Sequence, residues 1–255
     1  DYIIYSGIIY RDFSNLNRSQ RYSEQFRIQE FLAEYLMNTY ESISLNLHPS
    51  IVDIRPFLWV NYGTELPKYK IDLKFTSMIS IKDASRANKL EEIKYFKDAS
   101  GSRRQEVRYA INKKVITTES LDVDVFVDYY IKTIRRQNNS YEYQSDSMKK
   151  LILSLLANGR ALILQSSNHE GKVGSMAVFL LDNKRAYYLF GASDPDMRNQ
   201  HTGTAVLWDA FQMLDARGYK EVDLEGINSP NRGWFKLSFG GDIRPYYRII
   251  KNTPA

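Results

Sequence analysis

The chain has 255 residues, 43% of them hydrophobic, 25% charged and none of them cysteine. It is therefore long enough to bury the core of a soluble globular protein, but it cannot form disulfides, zinc–thiolate sites or a cysteine nucleophile. No apolar stretch approaches the roughly 18–20 residues of a membrane span, and the first residues lack the regions of a signal peptide, which predicts a cytoplasmic protein.

The formal net charge of +5 predicts an anionic partner. Nucleic-acid binders usually concentrate their excess charge in a patch or a tail, whereas lysine and arginine are scattered here among nearly as many acids. A polyanionic small molecule would account for the surplus equally well.

The first half of the chain predicts a loose mixture of helices and strands. In chain order, the predicted elements are an extended start at 2–10, a helix at 23–40, an extended segment at 51–60, a strand at 68–81, and helices at 85–97, 102–113 and 120–137. The most loop-like stretch, 138–147, follows them. It predicts a boundary that divides the chain into domains at 1–140 and 141–255.

The second half predicts an antiparallel meander followed by alternating helices and strands. Its predicted elements are a helix ending at Gly159, strands at 160–167, 173–181 and 185–193, a helix at 204–217, a strand at 221–227, a short helix at 231–238 and a last strand at 243–250. Turn residues stand where the hairpins need them. Both halves are therefore predicted to be α/β (α+β) domains.

The turn "RNQHTGTA" (198–205) has the residue types of a phosphate site. A helix that begins here leaves its first N–H groups without internal partners, and its dipole adds partial positive charge. Gly203 has no Cβ to block an approaching phosphate, and the hydroxyls of Thr202 and Thr204 can donate further bonds. Glycine and threonine also begin ordinary helices, so these residues alone leave both interpretations open.

A known loop has the same pattern. Gln200, Gly203 and Ala205 match Gln/Arg-x-x-Gly-x-Gly/Ala, and the region resembles the acyl-CoA loop of the GNAT N-acetyltransferase superfamily. The order of meander, loop, helix, strand, short helix and strand is also that of the superfamily. The resemblance implies that coenzyme A binds with its pyrophosphate on this loop, and that the strands "YYLFGAS" and "VDLEGIN" splay apart to hold the pantetheine arm.

Two further segments resemble the Fem-type peptidyltransferases, which carry two GNAT-like domains in one chain. The segment 223–241 contains their Phe-Lys-x-x-Phe-Gly motif, and 101–114 resembles their basic segment. The matching positions are Phe235, Lys236, Phe239 and Gly240 in the first, and Arg104, Arg108 and Ala110 in the second. The resemblance implies two GNAT-like domains, each a mixed, mostly antiparallel sheet flanked by helices, with a degenerate N-terminal domain on the acceptor side.

The loop pattern bears on the acyl donor. Fem-type enzymes take the acyl group from aminoacyl-tRNA and their acyl-CoA loop is generally degraded, so an intact loop favours acyl-CoA. The chain then resembles the FdhC-type N-acyltransferases, which act on a nucleotide-linked, dTDP-type amino deoxysugar for surface polysaccharides such as the O-antigen of lipopolysaccharide. Two alternatives stay open, namely a Fem-type aminoacyl-tRNA-dependent peptidoglycan peptidyltransferase and a non-catalytic acyl-CoA-binding protein. We expect neither a nucleic-acid partner nor a metal.

Acyl transfer to an amine needs a base, and the candidates are His48 and Glu225. His48 is accompanied by Asp53 and Arg55, which lie two apart on a segment expected to be extended and so point the same way, although an isolated histidine before proline is more often structural. Glu225 would be partly buried by the donor, which raises the pKa of a carboxyl into a useful range, although it could equally bind the acceptor. Trp234 occupies the helix in which many GNAT enzymes carry a tyrosine acid.

The resemblance assigns the remaining site residues. Those expected to hold the donor are Gly191, Ala192, Ser193, Gln200, His201, Thr202, Gly203, Thr204, Ala205, Asn231 and Lys236. A backbone N–H of the first three is expected to face the thioester carbonyl. Those expected to hold the acceptor are Asp53, Arg55, Arg104, Arg108 and Tyr247. A solvated helix face is the alternative for the two arginines of the basic segment.

Overall fold

A computed structural model describes residues 5–136 and 145–252. The helices are α1 (Arg18–Thr39), α2 (Arg55–Trp59), α3 (Lys94–Asp98), α4 (Gly101–Asn112), α5 (Val123–Arg136), α6 (Ser145–Ala157), α7 (Thr202–Ala216) and α8 (Pro230–Leu237). The strands are β1 (Ile43–Asn46), β2 (Lys70–Ser80), β3 (Ile116–Glu119), β4 (Ala161–Ser167), β5 (Val173–Leu181), β6 (Ala186–Ser193), β7 (Glu221–Gly226) and β8 (Asp242–Lys251). In the described part of the chain, no helix is both long enough and apolar enough to cross a membrane.

The predicted fold class is confirmed, because the described strands form a mixed, mostly antiparallel sheet flanked by helices. Strands β3, β4, β5 and β6 are neighbours in that order, and each pair is antiparallel. The next pair, β6 with β7, is parallel. The predicted meander over 160–193 is thus present, with β3 added at its edge.

The chain divides into two compact units. The first takes residues 5–76 and 244–252 of the described chain, and the second is Ser77–Ile243. These limits differ from the predicted domains 1–140 and 141–255, because the C-terminal strand β8 pairs antiparallel with β1, as Ile43 opposite Lys251 shows. A loop-like stretch in the middle of the sequence gives no indication that a strand near the C-terminus pairs with one near the N-terminus.

The first unit has its own core beneath helices α1 and α2. Its buried apolar residues are Ala33, Met37, Leu47, Ile51, Ile54, Phe57, Tyr69 and Ile249. Helix α1 begins at Arg18, five residues before the predicted start, because Asn17 and Gln20 form a capping box. The capping residues are polar, so the apolar period that predicted the helix begins only later.

The second unit buries both faces of its sheet. Along β4, Leu162 and Leu164 face a core that contains α7, whereas Ile163 between them faces a second core with α5 and α6. Successive side chains of a strand point to opposite faces, so a strand covered on both sides must be apolar throughout. This explains the continuous apolar runs of β4 and β5.

Several predicted elements are wrong. Residues 5–10 form no strand, and the segment predicted to be extended at 51–60 contains α2, which has a proline in its first turn. The helix predicted at 85–97 is divided into two 3₁₀ turns and the short α3. The strands β1 and β3 were not predicted, because four residues are too few to show a period. The start of the predicted loop, 138–144, lies outside the described residues, and its end, 145–147, is the first turn of α6.

Two positions of the Phe-Lys-x-x-Phe-Gly motif serve the fold. Phe239 is fully buried and packs edge-on against Phe211 of α7. Gly240 has a φ of +83°, and a Cβ placed there would lie 2.6 Å from the backbone carbonyl carbon of Asp98. Glycine is therefore required at this position both by the left-handed backbone and by the close approach of another segment.

We predict that Gly240→Ala lowers the free energy of unfolding more than Gly218→Ala does. Gly218 also has a positive φ, +94°, but nothing lies within 4 Å of the position of its Cβ. The control should lose about 1–2 kcal/mol from the left-handed backbone alone. The Gly240 variant should lose at least about 1 kcal/mol more, because the added methyl overlaps backbone atoms. Urea denaturation measures both, and equal losses would contradict the steric explanation.

Candidate functional site

The second unit contains a cleft of about 610 Å³. It is lined by residues of α4, α5 and β6, by the first turn of α7, and by α8. All of these elements belong to one compact unit. The cleft has both apolar walls, such as Phe190 and Val206, and charged groups, such as Arg103 and Lys236. Ligand sites combine these two kinds of surface.

The cleft opens where β6 and β7 part. The two parallel strands pair only at Ala186 opposite Val222 and at Tyr187 opposite Asp223. On the other side of β6, Phe190 pairs with Val178 of β5 while Tyr188 pairs with Phe179, so Leu189 between them forms a β-bulge. The expected divergence of these strands is present, and the bulge bends β6 where it lines the cleft.

The first turn of α7 faces the cleft with its backbone. His201 precedes the helix with a φ of +60°, and no side chain caps this end. The first N–H groups of the helix, including that of Gly203, have no intrahelical partner. A Cβ at Gly203 would meet only the Ser175 hydroxyl, at 3.5 Å, so the approach to its backbone is open. This end of α7 thus has the features of an anion site.

The threonine hydroxyls of this loop already have hydrogen-bond partners within the protein. The Thr202 hydroxyl lies 2.9 Å from the hydroxyl of Ser175, and the Thr204 hydroxyl donates to Glu106 at 2.6 Å. Both threonines are buried. Their side chains connect the start of α7 to β5 and α4, and because both residues also line the cleft, their contact with a donor stays a prediction.

The other loop positions have different surroundings. His201 lines the cleft, and its ring lies 5.3 Å from that of Tyr109. Burial lowers the pKa of His201, and Lys113 adds to this while Glu106 opposes it. The neutral form is therefore favoured, so His201 is a weak partner for a phosphate at neutral pH. Gln200 and Ala205 do not line the cleft, and Ala205 is buried.

Sequence reasoning missed Arg103, the buried cation of the site. Its guanidinium lies 4.6 Å from the ring centroid of Phe235 and 4.4 Å from that of Phe239, and it donates to Ser238 at 2.9 Å. It also donates to Glu106 and to the Thr204 hydroxyl. Burial lowers the pKa of Arg103, and Glu106 opposes this shift. One side chain thus joins α4, the start of α7 and the end of α8.

A signal for Arg103 was present in the sequence. Arg103, Val107 and Ala110 follow one another at helical spacing and form the buried face of α4. A charged residue on an otherwise apolar helix face needs a partner inside the protein. The motif match points to Arg104 and Arg108 and therefore does not indicate Arg103.

The two arginines of the motif do not line the cleft. Arg108 is exposed and pairs with Glu91 at 3.0 Å. Arg104 is partly buried, and the expected grip of these two residues on a diphosphate stays a prediction. Asn231 is exposed and also outside the cleft lining, whereas its neighbour Arg232 lines it.

The three residues expected to polarise a carbonyl all line the cleft, but they are not equivalent. The N–H of Ser193 donates to the Thr133 hydroxyl at 3.1 Å, so it is already used. Gly191 and Ala192 pair with Ala177 and Met176 of β5. At Leu189 the bulge leaves backbone groups that β5 does not pair, which adds a donor position that sequence reasoning did not name.

Glu225 and Lys236 are neighbouring ionisable groups beside the cleft, and the Nζ atom of Lys236 donates to the backbone carbonyl of Gly226 at 3.3 Å. Glu225 is 6% exposed and has a φ of +58°, and its N–H donates to Asp223 at 2.7 Å. Burial raises the pKa of Glu225 well above its usual range, Lys236 opposes this, and Asp223 adds to it. Burial lowers the pKa of Lys236 to about 8, against the influence of Glu225. Lys236 lines the cleft while Glu225 lies behind it, so contact of Glu225 with a substrate stays a prediction.

The remaining predicted residues belong to the first unit. The Nδ1 atom of His48 lies 2.7 Å from the Ser50 hydroxyl, and the His48 ring lies 5.3 Å from that of Tyr5. Arg55 donates to Asp53 through two bonds, of 2.8 and 2.6 Å. The ion pair that was expected as one alternative is therefore formed. The roles of His48, of this pair and of Tyr247 in a site stay predictions.

Known proteins share features of this chain in both sequence and structure. Residues 94–235 match the family model described as an acetyltransferase (GNAT) domain. The structure is similar to that of FemX, with a TM-score of 0.62 and 11% identity over 90% of this chain and 77% of FemX. It is also similar to L-PGS from Bacillus licheniformis, with a TM-score of 0.56 and 10% identity over 89% of this chain and 73% of the other.

A third similar structure is a conserved protein of unknown function from Bacteroides thetaiotaomicron. Its TM-score is 0.58 at 8% identity, over 88% of this chain and 76% of the other. No curated protein matches the sequence. At these identities the structural likenesses establish a shared fold, whereas the family rests on the match over 94–235.

We predict that Glu225→Gln changes how stability depends on pH. The wild-type native state holds a proton that the unfolded state releases above about pH 4.5, because the pKa of Glu225 is raised by folding. The free energy of unfolding of the wild type should therefore fall, relative to that of the variant, as the pH rises from about 4.5 toward neutrality. Urea denaturation across this range measures the difference.

The matched control is Glu34→Gln, which changes an exposed carboxylate on α1. The free energy of unfolding of this variant should differ from that of the wild type by a constant amount over the same pH range. If the free energy of unfolding of the wild type does not fall relative to that of Glu225→Gln as the pH rises, Glu225 is not a buried carboxyl with a raised pKa.

Proposed function

The chain belongs to the acetyltransferase (GNAT) domain family and is an acyltransferase, and we propose that it moves an acyl group from acyl-CoA to an amine in the cleft of its second unit. The observation that carries this proposal is the early parting of β6 and β7 next to the open first turn of α7. The parted strands leave room for an extended arm, and the helix start offers N–H groups to its phosphates.

The charges of the cleft support an anionic donor. Among the described residues, four cationic side chains line it, whereas two acids do. The cations are Arg103, Arg198, Arg232 and Lys236, and the acids are Glu106 and Asp194. Glu106 is neutralised by Arg103, and Asp194 faces Lys172 at 3.8 Å. The uncompensated charges in the cleft are therefore positive and suit a pyrophosphate.

Acyl transfer to an amine requires three contributions from the protein. Holding donor and acceptor in line supplies about 7–11 kcal/mol of the barrier reduction in well-placed reactions. Backbone N–H groups of β6 at Leu189, Gly191 or Ala192 would stabilise the oxyanion that forms on the acyl carbonyl. A base must take a proton from the amine, and Glu225, with its raised pKa, is suited to this if the acceptor reaches it.

A second donor is favoured by a different observation. The likeness to FemX covers 90% of this chain and therefore extends over both compact units, not over a single GNAT domain alone. Fem-type enzymes use aminoacyl-tRNA, whose aminoacyl ester is attacked by an amine in the same manner as a thioester. The comparisons support this alternative better than a nucleotide-linked amino sugar acceptor, which rests only on the resemblance of the loop motif.

One experiment separates these functions. The purified protein is given acetyl-CoA and longer acyl-CoAs, or aminoacyl-tRNAs, together with dTDP- and UDP-linked amino sugars or a UDP-linked muramyl peptide. Thiol release and mass spectrometry of the acceptor report transfer. Transfer from acyl-CoA supports the proposal, and the acceptor that is modified identifies the substrate class. Transfer only from aminoacyl-tRNA to the peptide would replace acyl-CoA by the second donor.

Two further outcomes contradict catalysis by acyl-CoA. Acyl-CoA that binds in calorimetry without transfer to any acceptor would indicate a non-catalytic acyl-CoA-binding protein. Acyl-CoA that does not bind at all would exclude both this role and the proposed donor.

We predict that Gly203→Val weakens acyl-CoA binding at least about tenfold, because its side chain would occupy the open approach to the start of α7. The matched control is Gly101→Val, which also changes a first-turn glycine with open space around it but lies at the start of α4, outside the cleft lining. Isothermal titration calorimetry measures both affinities. Equal affinities for Gly203→Val and the wild type would move the phosphate site away from α7.

A further inference from the structure

The hydroxyl of Tyr188 is a polar group in the cleft without a protein partner. Tyr188 lines the cleft, its ring packs 5.6 Å from that of Phe179, and no hydrogen bond to its hydroxyl is found among the described residues. The hydroxyl of the adjacent Tyr187, in contrast, donates to Asp182 at 2.9 Å. Hydroxyls of largely buried tyrosines are usually hydrogen-bonded, so the Tyr188 hydroxyl is left to meet a ligand.

The chain makes room for this hydroxyl. A Cβ at Gly191 would overlap the Tyr188 hydroxyl, and the ring carbon next to that oxygen would be only 2.7 Å away. The side chain of Tyr188 thus folds back over the backbone of its own strand at a position that only glycine leaves free. The hydroxyl is held next to the backbone N–H groups that would face the acyl carbonyl.

Tyr188 also stands at the point where the strands part. It is the first residue of β6 after the last pair with β7, Tyr187 opposite Asp223. Its backbone precedes Ser193, at the end of β6 nearest α7, by about 17 Å at roughly 3.3–3.4 Å per residue, whereas its hydroxyl reaches over Gly191, which precedes Ser193 by about 7 Å. An extended arm that runs from phosphates at the start of α7 along the parted edge of β6 therefore passes the Tyr188 hydroxyl.

Two features of the surroundings act on the proton of this hydroxyl in opposite directions. The Nζ atom of Lys236 lies 5.6 Å from the centroid of the Tyr188 ring and would stabilise a transient phenolate. Burial raises the pKa of Tyr188, with contributions from Tyr130 and Glu225, so the phenol is protonated at neutral pH and a lasting phenolate is disfavoured. Donation from this hydroxyl therefore has to be accompanied by the return of a proton.

We propose that the Tyr188 hydroxyl is the proton donor to the group that leaves the acyl donor. The amine nitrogen forms a bond to the acyl carbon, the bond from that carbon to sulfur breaks, and its electron pair goes to sulfur. Tyr188 gives its proton to the sulfur, and the proton that the amine loses restores the phenol. No further reactant is consumed. This inference rests on the proposed acyl transfer.

The test compares Tyr188→Phe with its matched control, Tyr187→Phe, which removes the hydroxyl of the adjacent residue outside the cleft lining. With the acyl-CoA that the wild type turns over, Tyr188→Phe should lower kcat about 10- to 100-fold and leave the donor KM unchanged. The control should keep the wild-type kcat. With an acyl nitrothiobenzoate thioester, whose thiolate leaves without a proton, the defect of Tyr188→Phe should fall below threefold.

Two further variants separate the hydroxyl from the bulk of the ring. Gly191→Ala displaces the hydroxyl without removing it, so it should lower kcat with the same dependence on the leaving group, and it should add little to Tyr188→Phe. Tyr188→Leu removes the ring as well. A full activity for Tyr188→Phe with a loss only for Tyr188→Leu would show that Tyr188 shapes the cleft, and the proposal would be wrong.

The outcomes also distinguish this inference from the proposed function. The activity of the wild-type protein with each donor shows whether acyl-CoA or aminoacyl-tRNA is used. With an aminoacyl ester the leaving group is an alkoxide, which needs a proton more than a thiolate does, so the loss in Tyr188→Phe should then be larger. A Tyr188→Phe defect of the same size for every leaving group would overturn the proton-donor role whichever donor is used.

Discussion

The separation of β6 from β7 after two residue pairs is the constraint on which the site depends. Backbone N–H and C=O groups within a sheet are normally paired, and unpaired ones are tolerated only where water, side chains or a ligand can reach them. The parting strands create such groups in the middle of a sheet whose two faces are both covered. A ligand that lies between the strands satisfies them, which connects the architecture directly to binding.

Charged side chains hold the elements around this opening. Arg103 reaches from α4 to the Thr204 hydroxyl at the start of α7 and to Ser238 after α8, with two aromatic rings against its guanidinium. A buried guanidinium is stable only when its donors are satisfied, so the arrangement of the three helices is fixed by the geometry of one side chain. Glu225 and Lys236 reduce the stability of the fold, because burial disfavours the charged form of each side chain. Groups held in this state beside a cleft are typical of functional sites.

Several features were predictable because they depend on local sequence. The meander over β4, β5 and β6 has long apolar runs separated by turn residues, and the phosphate loop has a recognisable glycine. Short or polar elements were not predictable in this way. The strands β1 and β3 have four residues each, and β1 takes its pairing from β8, about 200 residues away along the chain. Such pairing partners decide the state of a segment that has no period of its own.

The sequence by itself determined the family, the place of the loop and the strands of the meander, because these follow from residue types at fixed spacing. Only the tertiary structure decided which polar groups meet in the cleft. It turned the hydroxyls of Thr202 and Thr204 inward, selected Arg103 instead of Arg104, and left the Tyr188 hydroxyl facing the cleft. The reason is that a side chain's partner depends on elements distant in sequence, and a rotation of 100° about a helix axis separates the buried Arg103 from the partly buried Arg104.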